Sequence, residues 1–241
     1  PMGIEIQNIA YAFASSTSEA INNTTMYRYI YTNKSNNTYT EFRIGNYTDF
    51  DLGGADDDYI GCDLSTGTNN RKRNLMYVYN ADNFDDDMSS WGYGDAPPAF
   101  GFTYLNPGKT SNNVSLEVNS FMLIYKSGLS GTTGFPANST EMYRYIKGLW
   151  ADGLSIKYGS NGRNGTDSCM FMYPGTTDPQ GRANWVETEI PGDRRGVSAV
   201  SSVSLAPGER IVTDIAYVWA RDTAGTNLTS LEKLRLSTDT L

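Results

Sequence analysis

The stretch TDFDLGGADDDYIGCD, residues 48–63, carries six aspartates, Asp49, Asp51, Asp56, Asp57, Asp58 and Asp63, with no lysine or arginine among them. Like charges crowded this way need solvent, a basic partner or an ion to offset their repulsion. Carboxylates at alternate positions can aim several oxygens at one point, and a glycine pair allows the turn. Calcium takes about 6–8 oxygen ligands. The spacing predicts a calcium-holding loop with Asp49, Asp51, Asp57 and Asp58 as ligands and Asp56 or Asp63 as secondary candidates. The alternative is a solvated acidic loop in which some aspartates cap turns. The EF-hand spacing is absent, with no glutamate at its twelfth position.

A second acidic stretch contains Asp82, Asp85, Asp86, Asp87 and Asp95. It could complete the first site, form another, or be an exposed loop ending at Pro97-Pro98. Glycoside hydrolysis would need a separated pair of carboxylates, one with a raised pKa. The aspartates cluster in loops instead, and Glu117, Glu141, Glu187 and Glu189 have no distinctive surroundings in sequence. Asp178 and Asp193 sit in turn contexts, and Arg194-Arg195 and Arg71-Lys72-Arg73 are the main basic spots. The aromatic side chains of Trp91, Trp150 and Trp185 are candidates for stacking on sugars.

Composition narrows the chemistry. The chain has 241 residues, no histidine and a formal charge of −8. Lack of histidine excludes Ser-His-Asp and Cys-His catalysis and histidine-ligated zinc or iron. The acidic balance argues against nucleic acid and against anionic lipid. No apolar run approaches the ~20 residues of a membrane span. Cys62 and Cys169 match no CxxC motif. In a secreted chain they read most simply as one disulfide closing a long loop, contributing about 3–5 kcal/mol, with two buried free thiols as the alternative.

The elements that must position these groups are mostly strands. With 17 Tyr, 9 Phe and 24 Gly, the composition suits pleated surfaces joined by turns. In TMYRYIYTNKS, Met26, Arg28, Ile30 and Thr32 fall on one face and Tyr27, Tyr29 and Tyr31 on the other. Similar short runs recur to RIVTDIAYVWA, bounded by Asn, Gly, Asp and Pro. Two segments read as helices. NSTEMYRYIKGLW has Ser139 or Thr140 ahead of an apolar face at Met142, Tyr145 and Ile146, and TNLTSLEKLRL spaces Leu228, Leu231 and Leu234. Long polar loops are expected at 49–74, 80–98 and 157–167. The expected fold is all-β: a single elaborated antiparallel β-sandwich, jelly-roll-like, over residues 1–241, with one or two short helices. Both ends read as cut from a longer, multi-domain chain.

Several stretches resemble a domain of large secreted or cell-surface proteins of Bacteroidota, the kind exported with a C-terminal type IX sorting domain. They include GIEIQNIAYAFASS, TDFDLGGADDDYIGCD, MYVYNADNFDDD, GYGDAPPAFGF, FMYPGTTDP and VWARDTAGTNLTSLEKLRL, in order along nearly the whole chain. The resemblance implies an extracellular location, an all-β body and neighbouring modules. It names no reaction. Proteins of that group carry O-glycans on Asp-Ser/Thr-apolar triplets, which here points to Thr223 in Asp222-Thr223-Ala224 and matches Asp239-Thr240-Leu241. Nine N-x-S/T sequons also occur, as expected by chance in so Asn- and Thr-rich a chain.

Together these features lead to a non-catalytic extracellular structural or adhesive module of a surface protein or filament, held by calcium and a disulfide. Its partners would be other copies of itself, neighbouring surface modules or glycans. The alternatives are a carbohydrate-binding module and an accessory domain of a secreted glycosidase or protease.

Overall fold

Alternation along the strands decides which side chains meet. The computed structural model describes residues 2–86, 92–125 and 132–241. Its main sheet has six strands in the order β1 (Ile4–Tyr11), β2 (Thr24–Asn33), β15 (Arg210–Ala220), β9 (Ala99–Thr110), β6 (Leu75–Asn80) and β5 (Asp58–Asp63), all paired antiparallel. A second sheet has the order β10 (Val118–Tyr125), β13 (Arg194–Val200) and β4 (Gly45–Asp49). Three two-stranded pieces complete it: β14 (Val203–Leu205) with β3 (Tyr39–Phe42), β11 (Ile156–Lys157) with β12 (Ser168–Cys169), and β7 (Phe84–Asp85) with β8 (Gly94–Asp95).

The expected sandwich is present. One core contains Ile60, Met76, Phe102, Tyr104 and Ile215 of the large sheet together with Phe121, Leu123 and Val197 of the small one. Tyr27, Tyr29 and Tyr31 pack against this core, while Met26 joins a second cluster on the opposite side of β2. That second cluster is sealed by a helix. Leu231 and Leu234 meet Leu75, Tyr77, Ala216 and Val218, whereas Leu228 stays exposed. Covering both faces of the sheet explains why every residue of β6 is buried, the pattern of a continuous apolar run rather than an alternating one.

Among the described residues there are three α-helices: α1 (Glu19–Asn22), α2 (Ser139–Ile146) and α3 (Asn227–Thr238). The cap of α2 is Asn138, one residue before the expected Ser139: its side chain accepts from the Glu141 amide at 3.0 Å. In α3 the Thr226 and Thr229 side chains satisfy each other's backbone amides as a capping box.

The expected disulfide is a correction. Cys62 and Cys169 are both buried and both free. The Cys62 thiol donates to the Met172 carbonyl at 3.2 Å. Burial pushes both thiols up, Cys169 to about 11, so each sits in the core as a small neutral side chain.

Candidate metal centre

Of the four predicted ligands, the structure keeps two together and adds a third from a distant strand. Thr48, Phe50 and Leu52 are buried while Asp49 and Asp51 are exposed, so the period of two turns both aspartates to the same outer side. Antiparallel pairing of β4 with β13 sets Asp49 opposite Arg195. This brings in Asp193, the residue just before β13. Oxygens of Asp49, Asp51 and Asp193 lie within 4.8 Å of one another, an arrangement that could hold a metal ion. No local spacing connects Asp193 to the acidic stretch; only the strand pairing does.

A counter-charge is built into the triad. Arg195 Nε lies 3.1 Å from Asp49 Oδ2 and its Nη1 2.6 Å from Asp193 Oδ1. Burial raises the Asp49 carboxyl, with Arg195 opposing and the Asp51 and Asp193 charges adding to the rise. Three carboxylates against one guanidinium still leave negative charge where a hard cation would find oxygen donors, with water completing its shell.

Asp57 and Asp58 do not join this triad. Asp58 opens β5 and is completely buried, its Oδ2 accepting from the Leu52 amide at 3.3 Å. Asp57 Oδ2 accepts from the Asp86 amide at 3.3 Å. Asp63 belongs to an ion network: Arg73 Nη1 and Arg235 Nε each stand 3.2 Å from its Oδ2, and Arg73 also grips Asp239 through two nitrogens at 2.8 Å. These three fates separate positions that look equivalent in sequence.

The structure also reveals a carboxylate that sequence reading passes over. Glu187 is 2% exposed and lies beneath β5, where it accepts from Ile60 N at 2.7 Å and pairs with Arg194 at 2.8 Å. Burial pushes its carboxyl up to about 7 against the opposing pull of Arg194. Its forewarning in sequence is slight: Glu187 and Glu189 alternate in a run bounded by Trp185 and Ile190.

The tryptophan expectations are corrected for the described residues. Trp150 is fully buried, its indole N–H donating to Gly162 O at 3.1 Å. Trp185 is 6% exposed, donates to Ser160 O at 3.0 Å and packs on Tyr158 and Tyr173. Both act as core anchors, with no face left for a sugar. Trp91 and Asp87 lie outside the described residues. Thr223 is exposed in the turn closed by Gly225 N to Asp222 O. Among the sequon asparagines, Asn33 is fully buried with its amide donating to Asn37 O and Leu205 O, a position no glycan can occupy.

Among the described residues, no helix is long and apolar enough to cross a membrane. No known protein family matches the chain, and no curated protein matches it significantly.

Proposed function

We propose that this chain is a non-catalytic extracellular module with a structural or adhesive role in a cell-surface protein or filament, its acidic loops held by calcium. The convergence of Asp49, Asp51 and Asp193 carries the reading. A polar loop at the rim of a sandwich loses conformational freedom on ordering, and a bound ion offsets that loss. Calcium suits the donor set because all three groups are hard carboxylate oxygens. The edge strand β1 adds support for assembly with other copies or neighbouring surface modules. Its ladder is made with β2 alone, and Ile6 and Ile9 are more than half exposed. The exposed Thr223 supports a role as glycan acceptor.

Thermal melting of the wild type and of an Asp49→Asn/Asp51→Asn variant, in excess calcium and in EDTA, tests the cation. At a hundredfold excess over Kd the ion contributes about 2.7 kcal/mol, or roughly 5–10 °C for a chain of this size. The variant should show a clearly smaller calcium-dependent rise. An unchanged wild-type midpoint, or an equal rise in the variant, sinks the site. Immunogold labelling of intact cells tests the location: label confined to the cell interior contradicts the extracellular assignment.

A further inference from the structure

Among the described residues, every arginine that is not exposed has an acceptor, with one exception. Most face a carboxylate, as Arg194 faces Glu187 at 2.8 Å and Arg182 faces Asp178 at 2.7 Å. Others donate to main-chain carbonyls, as Arg144 does to Ala151 O at 2.6 Å and Arg221 to Ala96 O at 2.8 Å. The exception is Arg43. Its Nε and Nη1 are both buried, and neither has a hydrogen-bond partner. A guanidinium stays charged in proteins, so it cannot relieve the loss of water by giving up a proton. Buried donors without an acceptor are rare in folded chains, and each points to something that completes it.

The path of the chain fixes where Arg43 stands. Strand β3 ends at Phe42, which packs against the core. Ile44 is buried, and its carbonyl accepts from Val200 N at 3.0 Å. Arg43 lies between these two anchors, on the way from β3 to β4. There it lines a cleft of about 360 Å³ together with Tyr39, Thr40, Glu41 and Tyr143. The side chain as a whole is half-buried, so the cleft is the side from which an acceptor can arrive.

The rest of the lining limits what that acceptor can be. Glu41 shares the cleft with Arg43 but does not pair with it. Its Oε2 lies 3.4 Å from the Tyr143 hydroxyl and 3.9 Å from Lys147 Nζ. Tyr39 donates to Met2 O, and its ring stands 6.4 Å from that of Phe42. Thr38 and Thr40 are exposed along the same wall. The cleft therefore presents a fixed cation, a separate carboxylate, free hydroxyls and tyrosine rings. A matching ligand carries one negative charge for Arg43, hydroxyl donors for Glu41 and a ring of its own to lie on a tyrosine. A phosphate dianion would meet Arg43 but be repelled by Glu41.

We propose that this cleft binds an acidic sugar of the uronic acid class. The sugar carboxylate sits on Arg43, its hydroxyls donate to Glu41 and exchange hydrogen bonds with the threonines, and its ring lies against tyrosine. The volume is in the range of small-molecule sites. The proposal gives a glycan class to the adhesive role inferred above and rests on that reading for its setting. The cleft itself includes none of Asp49, Asp51 or Asp193 and needs no calcium.

Isothermal titration calorimetry with sodium glucuronate in EDTA tests this, with glucose and inorganic phosphate as comparison ligands. The wild type should bind glucuronate at least about tenfold more tightly than either of the others. Arg43→Gln removes a charged hydrogen bond and should weaken glucuronate binding about 10–100-fold, to the level of glucose. No binding up to about 10 mM glucuronate, or equal affinity for glucose or for phosphate, overturns the proposal. So does an Arg43→Gln variant that binds glucuronate like the wild type. The ligand comparison on the wild type decides alone if that variant is unstable. Every titration is done in EDTA, so failure here leaves the calcium-dependent rise in melting untouched, and failure of the calcium site leaves glucuronate binding untouched.

Discussion

Two acidic corners share the loop from Asp49 to Asp58 and are neutralised in opposite ways. The triad of Asp49, Asp51 and Asp193 sits at the rim, partly in water, with Arg195 bridging two of its members. The corner of Asp57, Asp58 and Asp85 is turned inward and is answered by backbone amides of Leu52, Gly54, Tyr93 and Asp86. An amide supplies a hydrogen bond but only a partial charge. The first corner can therefore fold with a modest electrostatic penalty in the absence of an ion. The second has no arginine of its own, and burial pushes the Asp58 carboxyl up to about 9, so protonation removes its charge. Acidic runs that look alike along the chain thus differ in how the fold neutralises them, and arginine placement makes the difference.

The largest test of that contrast is Arg194→Met. This guanidinium compensates Glu187 directly and acts on Asp58 from a distance. Removing it strands a buried carboxylate and should lower unfolding free energy by about 3–5 kcal/mol in urea denaturation. Adding Glu187→Leu should recover most of the loss, since an apolar pair of similar bulk is tolerated where a broken ion pair is not. A loss below about 1 kcal/mol would show that arginine compensation does not govern this region.

A somewhat smaller effect is expected from pH. The Glu187 carboxyl is raised from 4.5 to about 7 in the folded chain. Between those values the folded state holds more protons at this group than the unfolded state, so its contribution to stability falls as pH rises and is fully lost above about 7. The gap corresponds to about 3 kcal/mol. Denaturation midpoints followed from pH 4.5 to 7 in EDTA should fall less steeply in Glu187→Gln than in the wild type. Parallel curves would place the Arg194 pairing above burial as the dominant influence.

The smallest effect sharpens the comparison most directly. Arg195→Gln removes the built-in counter-charge of the triad and makes it resemble the inward corner. In EDTA the exposed Asp49 pair should account for about 1 kcal/mol, since solvent screens it, and the loss of the partner of buried Asp193 adds to that cost. The stabilisation gained from calcium should rise by a similar amount. A calcium gain equal to that of the wild type would mean that the arginine and the ion do not compete for the same carboxylates.

Much of the fold is legible in the residues themselves. The tyrosine face of β2 and its opposite face at Met26 follow from alternation, and both are packed as alternation requires. Leu231 and Leu234 mark the buried side of α3. Asp49 and Asp51 share a side for the same reason. What escapes sequence reading depends on pairing at long range. Asp193 reaches Asp49 through the β4–β13 register, and Asp85 reaches Gly54 across a loop contact. Glu187 acquires its character from burial under β5, which nothing near it in the chain announces. The tryptophans mislead because large aromatic side chains serve cores as readily as surfaces. The cysteines lie in one core with the Cys62 thiol already hydrogen-bonded, a state that spacing cannot distinguish from a bridge.

The strand order of the large sheet has a consequence in time. Its central position, between β2 and β9, is taken by β15, the last strand among the described residues. Until residues 210–220 are available, the hairpin β1–β2 and the trio β9–β6–β5 each expose an unfinished ladder where β15 will go. Such non-local closure is slow, and open edges are the part of an incomplete chain most exposed to wrong partners. Arrival of β15 joins both halves in one step, and α3, which follows directly, covers the seam. Closure of the large sheet is therefore gated by synthesis of residues 210–220.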